Sequence, residues 1–269
     1  MDLIGVRDIR VPTTRSEVVF GDGDIPLGGG TWLYSEAQEG VTGLVDLTGL
    51  GWPAITFTDH ALVVAATCTV AELSRLPAGD GWTAHPLILQ CVHSFLASFK
   101  IWNMATVGGN ICTALPAGPM ISLAVALDAH AVVWTADGGE RTLLVADLVT
   151  GVRTTSLQRG EVLRSIEFPL ATLTSRTAFR RIALSPLGRS GTLVIGRVDP
   201  GGATVFAITA ATHRPQQLRF AGAPDAAELA HRIDEIDDWY WDPHGTPDWR
   251  RAMSVLLAEE IRVELGSDT

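Results

Sequence analysis

Two glycine-rich segments carry the residue types whose spacing suggests chemistry. In the first, Leu27-Gly28-Gly29-Gly30-Thr31-Trp32-Leu33, consecutive glycines remove every β-carbon, so backbone N–H groups can converge on an anion without steric hindrance. A pyrophosphate suits such a concavity, particularly where a helix N-terminus follows. The spacing is neither G-x-G-x-x-G nor G-x-x-x-x-G-K-[ST], so neither a Rossmann nor a P-loop site is indicated. A plain turn would use the same residues.

The second segment is Thr106-Val107-Gly108-Gly109-Asn110-Ile111-Cys112-Thr113. Here Thr106, Asn110 and Thr113 supply neutral hydrogen-bonding groups around a backbone that can approach a ligand closely. That set fits a polar, uncharged, multi-atom ligand such as a ribityl chain. The alternative is a loop that caps its own backbone.

The elements that must position these segments are legible from periodicity. Residues 25–27 and 44–47 read as strands, with the glycine turn and a short helical link between them. Residues 61–66 form a continuous apolar, β-branched run, a buried strand, followed by Thr69 and Glu72 at capping-box spacing. Residues 85–99 place apolar side chains three and four apart, predicting one amphipathic helix. Gly108 and Gly109 then break the chain, and residues 120–127 predict a second apolar helix with Pro119 at its first position. Strands are expected at 131–135 and 161–168. A small, polar stretch at 171–175 suggests a boundary, followed by strands at 178–184, 192–198 and 203–210, with a hairpin turn at 199–202. Helices are expected at 225–233 and 248–265. The fold class is therefore α+β, with domains at 1–173 and 174–269.

Composition narrows the partners. The 269 residues include 20 basic and 30 acidic side chains, a net charge of −10, which argues against nucleic acid as a ligand. Cys68, Cys91 and Cys112 are odd in number and show no C-x-x-C spacing, so this chain alone supplies neither an iron–sulfur nor a structural zinc site, nor a disulfide framework. Absence of disulfides favours a reducing, cytoplasmic compartment. The opening MDLIGVRDIR has no apolar core of a leader, and the apolar run from Met120 is interrupted by Asp128 and His130 before it could span a bilayer, so no membrane association is expected. The acidic, aromatic stretch at 237–244 reads as a solvated turn packed by its rings, with metal binding as the lesser alternative.

With the two segments in hand, residues 24–34, 43–73 and 85–169 resemble, in order and spacing, the FAD-binding domain of the xanthine dehydrogenase and carbon monoxide dehydrogenase type, also called PCMH-type. The family's A-G-G-T-x-L signature is matched by Gly28-Gly29-Gly30-Thr31-Trp32-Leu33. Its I-R-N-x-G-T-[IV]-G-G-N segment is matched by Ile101-Trp102-Asn103-Met104-Ala105-Thr106-Val107-Gly108-Gly109-Asn110. The run Gly160-Glu161-Val162-Leu163-Arg164-Ser165-Ile166 is similar to a family strand near the flavin ring, and residues 178–265 look like the C-terminal domain of the same flavoproteins.

The resemblance implies an α+β fold with two α/β subdomains in the FAD-binding part and a small C-terminal domain of antiparallel sheet plus helices. It implies FAD as cofactor, with the pyrophosphate held by the backbone of Leu27, Gly28, Gly29, Gly30, Thr31, Trp32 and Leu33. Thr106, Gly109, Asn110 and Thr113 would contact the phosphate and ribityl region. Ala97 falls where a helix approaches the cofactor, and Val162 and Leu163 fall where residues flank the isoalloxazine. Arg180 corresponds to a basic residue near the flavin, able to stabilise negative charge on the reduced ring, although a surface role is an equal alternative. No catalytic acid or base and no metal ligand in this chain is required.

The sequence also departs from the family pattern. Pro119 stands where many members carry an aspartate that contacts FAD. Trp32 replaces a small or acidic residue, either stacking on the cofactor or covering apolar surface. Arg189 stands near a usually acidic position.

The implied role is the FAD-binding medium subunit of a molybdopterin-dependent hydroxylase. Partners would be a molybdopterin-binding large subunit and a [2Fe-2S] subunit or domain, with electrons passing through FAD to a terminal acceptor. The alternatives are a self-contained flavin oxidase of the vanillyl-alcohol type and a flavin-less assembly subunit.

Overall fold

The structure, a computed structural model, describes residues 3–267. Met1 and Asp2, which belong to the stretch read for a leader, lie outside them. In chain order the elements begin with β1 (Asp8–Arg10), β2 (Asp24–Leu27), β3 (Gly43–Asp46), β4 (Ile55–Phe57), β5 (Ala61–Ala65) and α1 (Val70–Leu73). Next come α2 (His85–Ser94), α3 (Phe99–Trp102), α4 (Val107–Thr113), α5 (Pro119–Ala126), β6 (His130–Trp134) and β7 (Glu140–Leu144). They continue through α6 (Val145–Leu148), β8 (Val149–Gly151), β9 (Thr154–Thr155), β10 (Val162–Pro169) and α7 (Leu170–Leu173). The chain closes with β11 (Arg176–Ile182), β12 (Thr192–Val198), β13 (Thr204–Thr209), β14 (Gln216–Phe220), α8 (Ala226–Asp234) and α9 (Pro247–Gly266).

Three larger sheets and the two-stranded β8–β9 hairpin organise these elements. A small sheet in the order β1-β3-β2 is parallel throughout, with Leu27 opposite Asp46 at the end where the glycine segment leaves β2. A second sheet runs β4-β5-β10-β6-β7 with antiparallel pairings on both sides of its central strand β10. A third, β11-β12-β13-β14, is an antiparallel meander whose β12–β13 turn is the expected one, with Gly202 at φ +86°.

The meander is buried on both faces, and alternation of side chains explains how. Leu193, Ile195 and Ala207 join the main core on the side covered by α5, while Val194, Phe206 and Ile208 join a second core with α8 and α9. Because both faces are covered, β13 is apolar or buried at every position, a run rather than an alternation. Where α5 ends, Asp128 (φ +52°) accepts from the buried Arg197 of β12 at 2.6 Å and also pairs with Arg219 of β14.

Three sequence expectations are corrected here. The helix expected over 85–99 stops at Ser94: Phe95 adopts ψ +92°, and after a short extended segment α3 begins at Phe99. Gly108 and Gly109 do not break the chain but lie in the first turn of α4. The link between β2 and β3 is a series of turns, with Tyr34 N–H donating to Gly30 O at 2.9 Å, instead of a helix. The capping box at Thr69 and Glu72 is present, with Glu72 N–H donating to Thr69 Oγ1 at 3.1 Å.

Candidate functional site

The glycine segment after β2 and the start of α4 face each other across a cleft of about 580 Å³, within the range of ligand sites. Its walls bring together Leu27, Gly28, Gly29, Gly30, Thr31, Trp32, Leu33, Ala97, Thr106, Gly109, Asn110 and Thr113, segments far apart in sequence. Phe95, Leu96 and Ile101 supply an apolar side, and Arg153 enters from the β8–β9 hairpin. The end of α2 at Ser94 is what makes this possible. Had the helix run on to residue 99, residues 95–97 would follow its axis instead of bordering the cleft.

The first segment holds the free donors. The backbone N–H groups of Gly29, Gly30, Thr31, Trp32 and Leu33 have no acceptor among the described residues. Gly30 takes φ +68°, which turns the backbone and which a side chain would strain. Gly29 is required for a different reason. A β-carbon built on it would overlap the carbonyl of Met104, so its bare backbone lets this loop close against the segment leading into α4.

The start of α4 is already satisfied from within. Val107 N–H donates to Cys68 O at 2.8 Å, Gly108 N–H to Ala66 O at 2.9 Å, and Gly109 N–H to Thr106 Oγ1 at 3.0 Å. Thr113 Oγ1 donates to Gly109 O at 2.6 Å, and Asn110 Oδ1 accepts from Met120 N–H at 3.0 Å. The residues therefore cap their own backbone, and the same segment lines the cleft. Open amides for an anion belong to the first loop, while the second offers the remaining hydroxyl lone pairs and the Asn110 amide NH₂. Pro119, which opens α5, is buried outside the cleft lining and has no N–H for Asn110 to accept, so the contact falls on Met120.

Val162, Leu163 and Arg180 are not brought to the cleft. Val162 and Leu163 point into two different apolar clusters on either face of β10, whose register shifts between Leu163 and Ser165. The intervening Arg164 lies over the Trp52 ring, 4.3 Å from its centroid. Arg180, on β11, is held by Glu260 at 3.0 Å and Glu264 at 2.6 Å on α9. Of the lining residues the sequence did not single out, Phe95 and Leu96 were hidden by the over-long helix. Arg153 gave no local signal, because its place depends on a hairpin whose short strands were not expected.

The third thiol also borders the cleft. Burial pushes the Cys112 thiol up to about 12, which keeps it protonated at neutral pH. In the acidic stretch, Asp242 pairs with the buried Arg250, whose guanidinium also reaches the Gly191 and Ala210 carbonyls.

The donor set suits FAD. Open backbone amides match a diphosphate, neutral hydroxyl and amide groups match a ribityl chain, and the apolar wall matches a fused ring system. Comparison with known proteins agrees. A family model described as the FAD binding domain in molybdopterin dehydrogenase matches residues 21–171. Over 98 residues the chain is 33% identical to caffeine dehydrogenase subunit beta of Pseudomonas sp. strain CBB1, covering 36% of this chain and 33% of that protein. It is 28% identical over 124 residues to xanthine dehydrogenase 1 of Arabidopsis thaliana, covering 43% of this chain and 9% of that one. The matches thus span a third or less of these relatives' length. The fold is shared with a chain of quinoline 2-oxidoreductase from Pseudomonas putida 86, with a TM-score of 0.80 at 20% identity over 98% of both chains. It is shared equally with a chain of carbon monoxide dehydrogenase from Hydrogenophaga pseudoflava, with a TM-score of 0.82 at 19% identity over 95% of this chain and 96% of that one.

Proposed function

This chain belongs to the family of FAD binding domains in molybdopterin dehydrogenases, and from that premise we propose that it is the electron-handling subunit of a molybdenum hydroxylase. In this reading it takes electrons from iron–sulfur centres on a partner and passes them to a terminal acceptor, while a molybdopterin-binding large subunit oxidises the substrate. The observation that carries the reading is the cleft, where the open amides of residues 29–33 face the neutral groups of α4. Residues 1–173 would form the FAD-binding domain and residues 174–269 a C-terminal domain, supported by the separate sheet and second core of the latter.

When bound, FAD supplies a carrier that accepts two electrons and can release them singly. The chain's own residues bind and orient it. The first loop's N–H groups converge on the diphosphate, Thr106 fixes the start of α4, and Phe95, Leu96 and Ile101 exclude water from one side. Burial lifts Cys68 to about 12, as it does Cys112, and Cys91 higher still. Among the described residues no group of three or more His, Cys, Asp or Glu is placed to hold a metal ion. No helix is long and apolar enough to cross a membrane.

The test is reconstitution. The FAD-loaded chain alone should leave substrate untouched, and its flavin should bleach anaerobically only when a molybdopterin chain and a [2Fe-2S] chain are added with substrate. Direct flavin reduction by a small alcohol, with no partner present, would instead establish a self-contained oxidase.

A further inference from the structure

Among the described residues lining the cleft, Arg153 is the charged one. It sits at the tip of the β8–β9 hairpin, where Gly151 pairs with Thr154 and leaves Val152 and Arg153 as the two turn residues. Its backbone is left-handed, φ +56°, a conformation that disfavours any residue with a β-carbon. The turn is moored to the C-terminal end of α4 by Arg153 N–H donating to Ala114 O at 2.8 Å. From there the guanidinium reaches the glycine loop, its carbon 5.8 Å from the centroid of the Trp32 ring. Its carboxylate partner is Glu36 at 3.9 Å, with both side chains about half exposed, a pairing that contributes little. Trp32 keeps its place although its buried indole N–H has no acceptor among the described residues, an arrangement that costs stability unless the ring position serves something else.

We propose that Arg153 is the positioning residue for the FAD diphosphate, with the Trp32 ring as the platform that holds its guanidinium beside the open amides of residues 29–33. This rests on the FAD reading above and adds to it. Backbone N–H groups offer partial charges only, whereas a diphosphate carries full negative charge into a partly dry cleft. A guanidinium matches it with a planar pair of donors and a whole counter-charge. The diphosphate displaces Glu36, and the cation–π contact keeps the long side chain from wandering before the cofactor arrives.

Calorimetric titration of the full chain with FAD and with ADP, at low and high KCl, tests this. Arg153→Gln should weaken both ligands by about tenfold or more, the range of a lost charge-assisted hydrogen bond, and should flatten their salt dependence. Arg153→Lys, which keeps the charge, should recover part of both. Unchanged affinity in Arg153→Gln overturns the proposal, as does loss of FAD with ADP affinity and salt dependence intact. An equal loss in both variants accompanied by a lowered Tm would assign Arg153 to hairpin stability and also overturn it. A parent chain that binds neither ligand would overturn the flavin reading itself, and this one with it.

Discussion

Gly29 and Met104, distant in sequence, meet with the glycine's bare α-carbon against the methionine carbonyl, closer than any side chain would allow. This contact, more than the approach of a ligand, explains why the middle glycine is needed. It joins the loop that carries the open amides to the segment that enters α4. The two halves of the cleft are therefore one mechanical unit.

Gly29→Ala should accordingly destabilise the protein even without cofactor, by about 3 kcal/mol, the scale of forced backbone displacement. Gly29→Val should also abolish FAD retention. Urea unfolding of the apo chain separates the two effects. An alanine variant as stable as the parent but unable to hold FAD would place the glycine's role at the ligand instead.

Thr106 caps α4 through Gly109 N–H at 3.0 Å, and Thr106→Ala should lose about 1 kcal/mol of stability with weaker FAD binding, as expected for an N-cap removal. Thr106→Ser, which keeps the oxygen, should restore most of both. Thermal unfolding and FAD titration of the pair read the result.

Much of this site was legible before the structure. The two glycine segments, the strand before the first and the Thr69 capping box are local features, set by residue type and short spacing. What escaped depended on long-range packing. The apolar spacing over 85–99 continues past Ser94 through Phe95, Leu96 and Phe99, but once the chain has bent only Phe95 packs against the core, while Leu96 and Phe99 are exposed. The paired glycines at 108 and 109 look like breakers, yet Gly108 is helical and is needed there because Ala66 packs where a side chain would be. The strand β14 reads as a polar stretch, since Gln216, Gln217 and Arg219 serve side-chain contacts at a sheet edge. Val162 and Leu163 belong to an expected strand, but both are buried in apolar clusters on its two faces, a placement set by the sheet around β10 that the local sequence does not reveal.

Acid stability should turn on Asp128. Burial pushes its carboxyl up, but hydrogen bonds from Arg219, Arg197 and Gln217 and the Arg197 charge outweigh this and hold it below the ordinary aspartate range. A carboxyl depressed on folding adds stability above its unfolded pKa of about 3.9, and that contribution is lost as pH falls through the folded value. Stability should therefore decline as pH drops below about 4. Asp128→Asn should flatten this decline and cost about 3 kcal/mol at neutral pH, because Arg197 is only 2% exposed and keeps Asp199 as its one carboxylate. Denaturant melts across pH check both parts.

Thiol titration offers a simple test of the cleft wall. With Cys68 and Cys112 pushed up to about 12 and Cys91 higher, the native chain should react negligibly with a disulfide reagent at pH 8, and all three thiols should appear on unfolding. Fast labelling of Cys112 in the native protein would mean that the wall beside α4 opens more than its burial indicates.

Holding the FAD diphosphate is the role proposed for the open amides of residues 29–33. Amide ¹⁵N–¹H spectra of the labelled chain, recorded as FAD is added to saturation, address it most directly. The resonances of Gly29, Gly30, Thr31, Trp32 and Leu33 should be among the most strongly shifted, moving downfield as their N–H groups gain an anionic acceptor. FAD bound at one equivalent with those resonances unmoved would contradict it.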